Sequence, residues 1–338
     1  MLMPLPTLAD VLTARRAIRD LVIETPLVPS ALSERLGCEA LLKLESLQRI
    51  GAFKIRGAAN AVANLTPEQA KRGVVCCSTG NHGRAVAYAA KAHGIKAIVC
   101  LSRLVPTVKV NAIEALGAEV RRIGNSQDDA QIEVDRLVRN DGMTDLPPFD
   151  HPHVIAGQAT VGLELLEARP DLETIVVPLS GGGLAGGIAL AAKAIKPTIK
   201  IIGISMDRGA AMAESLKAGK PIEVEEVASL ADSLGGGIGL QNELTFRLCK
   251  DLIDQIILVT EDEIYDGMRC LYREDRQIAE GGCAVGHAAV LAGKLTDVRG
   301  PAAFLISGRN VDVDLFTDVI TGKPVVLGDT TVTGNSYA

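Results

Sequence analysis

Short β-rich runs alternate with amphipathic helical runs along most of this chain, and that alternation leaves few folds open to it. Residues 73–77 (Gly-Val-Val-Cys-Cys) read as a buried strand, followed by a Gly-rich turn and a helix over 84–93. Residues 97–101 repeat the strand before a helix over 109–116, and 119–123 form a third strand with a helix over 128–140 behind it. Strand–helix–strand units of this kind build parallel sheets with helices on their faces. Prolines in Pro147-Pro148 and His151-Pro152-His153 read as a turn that interrupts the rhythm. A second set of strands follows at 174–178, 200–204, 256–259 and 303–306. The expected fold class is α/β, with two open, mostly parallel twisted-sheet domains and helices on both faces. Residues 73–148 form the smaller domain; residues 1–72 and 149–338 form the larger one, the N-terminal part being assigned there from its order alone. The tail after Gly322, ending in small and polar residues, is expected to be loosely ordered.

Composition narrows the function classes. A formal charge of -6 over 338 residues, without a dense Lys/Arg run, argues against a nucleic-acid footprint. The seven cysteines are scattered and include no Cys-x-x-Cys pair, so they suggest buried free thiols and not a zinc site or disulfide framework. The N-terminus lacks a signal-peptide pattern and no apolar run reaches membrane length, so the expectation is a cytoplasmic protein with no membrane partner.

Three segments carry chemistry. In Gly51-Ala52-Phe53-Lys54-Ile55-Arg56-Gly57, Lys54 lies beside an aromatic ring and a second cation. Desolvation and a like charge both disfavour an ammonium, and a free amine can condense with an aldehyde cofactor and then act as a base. A helix-start lysine without chemistry is the plain alternative. In Ser78-Thr79-Gly80-Asn81-His82-Gly83, small residues follow a strand and open a helix, whose N-terminus suits a substrate carboxylate. His82 lies just inside that helix, where a packed, hydrogen-bonded histidine is favoured over a general base. In Ser180-Gly181-Gly182-Gly183-Leu184-Ala185-Gly186, successive glycines let backbone amides converge on a phosphate. The same run spells G-x-G-x-x-G, and Asp207 lies near the spacing of a ribose-binding acid, so a nicotinamide or flavin dinucleotide enzyme is the rival reading.

Taken in order, these segments, with Val154-Ile155-Ala156-Gly157-Gln158 and Ser307-Gly308-Arg309-Asn310, resemble pyridoxal-phosphate enzymes of the tryptophan-synthase-β fold type. The likeness is greatest to the threonine dehydratase and serine racemase branch, and it runs from about Thr25 through the last strand. The resemblance implies a pyridoxal 5'-phosphate cofactor bound covalently by Lys54, which also takes the Cα proton. It implies Phe53 beside the cofactor, and Asn81 on the ring hydroxyl. Ser180, Gly181, Gly182, Gly183 and Leu184 would surround the phosphate, with Ser307 at the pyridine nitrogen. The substrate carboxylate would rest on Ser78, Thr79, Gly80, Asn81 and His82. The cofactor phosphate is the acid left for a departing hydroxyl, since no carboxylate is obviously placed for it. A homodimer is implied by the resemblance alone.

Departures from the family pattern refine this. Thr79 stands where the racemase has a serine acting on the opposite Cα face, so racemisation stays open. The racemase metal positions would fall near Ser205, Gly209 and Ala211, none of which supplies a carboxylate, so no metal is expected there. Arg309 replaces a glycine and has no evident role. The segments at 207–212 and 231–239 look like the dehydratase associated with hydroxyectoine utilisation, and Arg208 either reads an extra acetamide or lies on the surface. The expected activity is elimination of water from a β-hydroxy α-amino acid, giving a 2-oxo acid and ammonia. Threonine or serine dehydration, serine racemisation, and a sensor that binds an amino acid without turnover are the alternatives.

Overall fold

The computed structural model describes residues 3–78, 80–335 and 337. Among them are twelve strands: β1 (Leu27–Pro29), β2 (Ala40–Leu44), β3 (Val74–Cys77), β4 (Ala97–Leu101), β5 (Glu119–Arg122), β6 (Thr144–Asp145), β7 (Thr174–Pro178), β8 (Lys200–Met206), β9 (Gln255–Val259), β10 (Ala302–Ile306), β11 (Val325–Leu327) and β12 (Thr330–Val332). Two sheets dominate, as the strand–helix alternation predicts. One has the order β1-β2-β10-β7-β8-β9 and is parallel apart from β1. The other has the order β5-β4-β3-β6 and is parallel throughout.

The apolar runs of β4, β7 and β10 are buried at every position because helices cover both faces of their sheets. Alternate residues serve opposite faces. Val176, Ile202, Phe304 and Ile306 join one core with Ile264, Met268 and Ala284, whereas Ile175, Val177, Ile201 and Leu305 join another with Leu165, Ala185 and Ile188. A third core joins the helix Lys54–Ala63, through Ile55, Ala58 and Val62, to Val74 and to Ala85, Val86 and Ala89 of the helix Asn81–Ala92. The Lys54 helix also lies against the helix Pro152–Ala168, so closely that a Cβ on Gly157 would stand 2.4 Å from the Arg56 carbonyl.

Two sequence expectations need correction. Pro152 does not sit in a turn but opens the Pro152–Ala168 helix, where a fixed φ is suited and the missing N–H is no loss. The tail after Gly322 is not loose. β11 and β12 form an antiparallel hairpin, and the backbone N–H groups of Gly334 and Asn335 donate to Asp262 and Asp266 on the helix Glu261–Arg273. Its Val-Val-Leu and Thr-Thr-Val runs are strand formers that composition alone obscured. No helix among the described residues is long and apolar enough to cross a membrane.

Candidate active site

The chain entering the Lys54 helix is stitched to the end of β10. Ala52 bridges Gly308 in antiparallel fashion, and the Phe53 N–H donates to the Ser307 carbonyl at 3.0 Å. Lys54 is the first residue of its helix; its Nζ donates to the Pro148 carbonyl at 2.9 Å and lies 5.4 Å from the Phe53 ring centroid. Desolvation pushes the Lys54 amine down to about 8, against the opposing pull of Glu280. The neighbouring cation invoked from sequence is not part of this. Arg56 points away, forming ion pairs with Glu45 and Glu164. At pH 8 about half of such an amine is uncharged, against about 0.3% of an unperturbed lysine. Covalent attachment of pyridoxal 5'-phosphate to the cofactor-free protein should therefore rise with pH and reach half its maximum near 8. A stopped-flow absorbance series across pH 6–10 measures it, and a midpoint above 10 would contradict the desolvation.

β7 runs into Ser180-Gly181-Gly182-Gly183, and the helix Gly183–Ile195 follows, with the well-buried Leu184 as its second residue. Gly182 occupies its N-cap with φ +85°, and no side chain caps the helix, so its first N–H groups are available to an anion. A Cβ on Gly182 would stand 2.7 Å from the Cys249 sulfur, and one on Gly181 would stand 2.3 Å from the Phe149 ring. The turn can be this tight only without side chains. Gly182→Ala should weaken cofactor retention at least about tenfold, from the left-handed backbone alone. The visible absorbance left after dialysis would show it.

The second anion-ready helix end follows β3. Gly80 is the N-cap of the helix Asn81–Ala92, again without a side-chain cap, and its N–H donates to Ser78 Oγ at 3.3 Å. Thr79 lies outside the described residues. His82 is buried, and its Nε2 lies 2.7 Å from the Leu146 carbonyl. Burial and the nearby Lys54 push its pKa down to about 3, so the ring is neutral and Nε2–H donates to that carbonyl. These loops lie beyond the carboxyl ends of parallel strands, where ligands of open α/β sheets bind.

One residue escaped the sequence reading. Glu280, just before the helix Gly281–Leu291, accepts from the Asn81 side-chain amide at 2.9 and 3.1 Å and from the Asn310 N–H at 2.9 Å. The Asn310 side chain donates to Asn81 Oδ1 at 2.6 Å, so these three residues close a ring. A buried carboxylate that the sequence did not single out is thus held against Asn81. Burial raises the Glu280 pKa, partly offset by the Asn81 and Asn310 hydrogen bonds. Its only sequence signal is the Gly281-Gly282 pair after it, where the chain at Leu230–Ser233 packs too close for a Cβ.

Ser307 is 7% exposed, and its hydroxyl lies 3.2 Å from the Cys283 sulfur. The Arg309 side chain is exposed, while its N–H donates to the Gly51 carbonyl. The half-buried Arg208 donates to Thr330 of the C-terminal hairpin at 3.2 Å.

A desolvated amine, an uncapped glycine turn and a neutral hydroxyl are the kinds of group that a phosphorylated aldehyde cofactor would use. A family model described as "Pyridoxal-phosphate dependent enzyme" matches residues 18–308. The chain belongs to this family. Its cofactor is pyridoxal 5'-phosphate, and the dinucleotide reading of the glycine run is overturned. A provisionally named threonine dehydratase of Sinorhizobium fredii is 53% identical over 317 residues, 94% of this chain and 96% of that protein. An L-threonine ammonia-lyase of Thermotoga maritima is 42% identical over 93% of this chain and 78% of its own. The structure of maize serine racemase matches with a TM-score of 0.87 at 34% identity, covering 94% of this chain and 98% of that one.

Proposed function

We propose that this protein is an ammonia-lyase that dehydrates a β-hydroxy α-amino acid to a 2-oxo acid and ammonia. The observation that carries the reading is the desolvated Lys54 amine at the start of a helix whose entry is stitched, through Ala52–Gly308 and Phe53–Ser307, to the loop that carries the Ser307 hydroxyl. Bound pyridoxal 5'-phosphate supplies the electron sink that acidifies the substrate Cα–H. Lys54 takes that proton. With the cofactor bound, Phe53 would lie beside it, Asn81 would hydrogen-bond the ring hydroxyl, and Ser180, the amides of Gly181 to Gly183 and Leu184 would hold the phosphate. The amides of residues 78–82, Thr79 included, receive the substrate carboxylate. Ser307 offers a hydroxyl and not a carboxylate to the pyridine nitrogen, which suits expulsion of a β-hydroxyl better than long storage of charge in the ring. Neutral His82 stays with Leu146 and moves no proton.

The favoured substrate is 3-hydroxy-2,4-diaminobutyrate acetylated on its distal nitrogen, the ring-opened form of hydroxyectoine. Support comes from the segments at 207–212 and 231–239, which depart from the usual threonine dehydratase forms. The 230–233 stretch packs against Gly281 and Gly282, next to Glu280. Residues 73–148 make up the small, carboxylate-binding domain, and the enzyme works as a cytoplasmic homodimer, as the resemblance implies. A visible spectrum with L-serine, L-threonine, 3-hydroxyaspartate and the acetylated compound tests the assignment, together with ammonia release. A shift with the last compound alone supports it, and a shift with serine or threonine moves the protein to a general dehydratase. No cofactor band even after reconstitution would sink the whole reading.

A further inference from the structure

We propose that Glu280 is a positioning residue for this reaction, locking Asn81 and Asn310 into the closed ring that ties the carboxylate-receiving helix end to the Ser307 loop. The inference rests on the reading of the site given above. Asn81 begins the helix after β3, Glu280 precedes the helix Gly281–Leu291, and Asn310 follows β10, so the ring joins the two sheets. Its polarity is fully specified. Both Glu280 oxygens accept from Asn81, and one of them also accepts from the Asn310 N–H. The Asn310 amide donates to Asn81 and to the Ile50 carbonyl at 2.9 Å, and the Glu280 N–H donates to the Gly308 carbonyl at 3.1 Å.

A carboxylate is the group that satisfies these partners. In Glu280→Gln, whichever way the amide turns, an NH₂ faces a donor: Asn81 Nδ2 in one orientation, the Asn310 N–H in the other. The charged and polar groups around Glu280 are Lys54, Arg84, Asp232 and Ser233, and of these Lys54 and Arg84 are cations that favour its ionised form.

The experiment compares wild-type holoenzyme with Glu280→Gln and Asn310→Ala by amide hydrogen exchange and by steady-state kinetics on the acetylated substrate. The expected result is exchange at least about tenfold faster, confined to 78–86 and 307–310, with a KM raised at least about tenfold. Unchanged exchange and KM in Glu280→Gln would overturn the proposal. So would faster exchange spread through β7 and β10, which marks general destabilisation. Should Glu280→Gln not fold, Asn310→Ala opens the ring from the other side and carries the same criteria. Wild-type protein that takes up no cofactor would sink the function reading instead, and exchange at 78–86 would still report on the ring.

Discussion

Lys54→Ala is expected to lower ammonia release by at least about 10⁴-fold, because one substitution removes both covalent attachment and the base for the Cα proton. The phosphate subsite does not depend on this lysine. The uncapped helix at Gly183 and the tight Gly182 turn remain, so the variant should still take up the cofactor, without a covalent bond. Borohydride treatment followed by mass measurement separates the two cases. Wild type keeps the added cofactor mass on a peptide containing Lys54, and the variant does not. Wild-type turnover in Lys54→Ala would refute the assigned role.

What the sequence made legible was local. Lys54 and the Ser180–Gly183 turn each sit in a short run whose chemistry follows from adjacent residues, whereas Ser307, just after β10, was singled out by the family resemblance alone. Helix and strand limits differed by only a few residues, as at the helix Asn81–Ala92, which starts three residues before its expected onset because Gly80 already serves as its cap. Partnerships across the chain were not legible. Glu280 meets Asn81 from 199 residues away, and the glycine pair that follows it does not reveal that partner. The strand order β2-β10-β7 was equally hidden, since it brings residues 40–44 beside 302–306. Arg56 shows the same limit from the other side. Its place two residues after Lys54 suggested electrostatic influence on the amine, yet a helix turns successive side chains through about 100°, and Arg56 faces another part of the core.

Arg56→Met is expected to cost about 3–5 kcal/mol of stability at pH 7, the cost of leaving buried carboxylates without their cation. The guanidinium donates to both oxygens of Glu45 at 2.8 Å and to Glu164 at 2.6 and 2.8 Å, and Arg56 is 1% exposed. Lys43 donates to Glu164 at 2.6 Å and to the Thr25 carbonyl, so two cations and two carboxylates share one desolvated site. Burial pushes the Glu45 carboxyl up, but attraction to and hydrogen bonds from Arg56, with help from Lys43 and Thr25, outweigh it and hold the pKa below 4.5. The sign of the pH effect follows. In wild type, the Glu45 contribution is fully present above its unfolded value of 4.5 and is lost as pH falls through the depressed folded value. Without Arg56 the desolvation dominates and raises the folded pKa, so ionised Glu45 penalises the variant increasingly as pH rises above 4.5. The gap between the two proteins is therefore widest near neutrality and narrows on acidification. Urea midpoints at pH 7 and pH 5 measure it, and a gap that is constant or grows at pH 5 would refute this account. Because Arg56 lies in the first turn of the helix that begins at Lys54, the variant also separates stability from chemistry. Its folded fraction should keep a Lys54 attachment midpoint near 8, since that value comes from desolvation and Glu280 and not from Arg56.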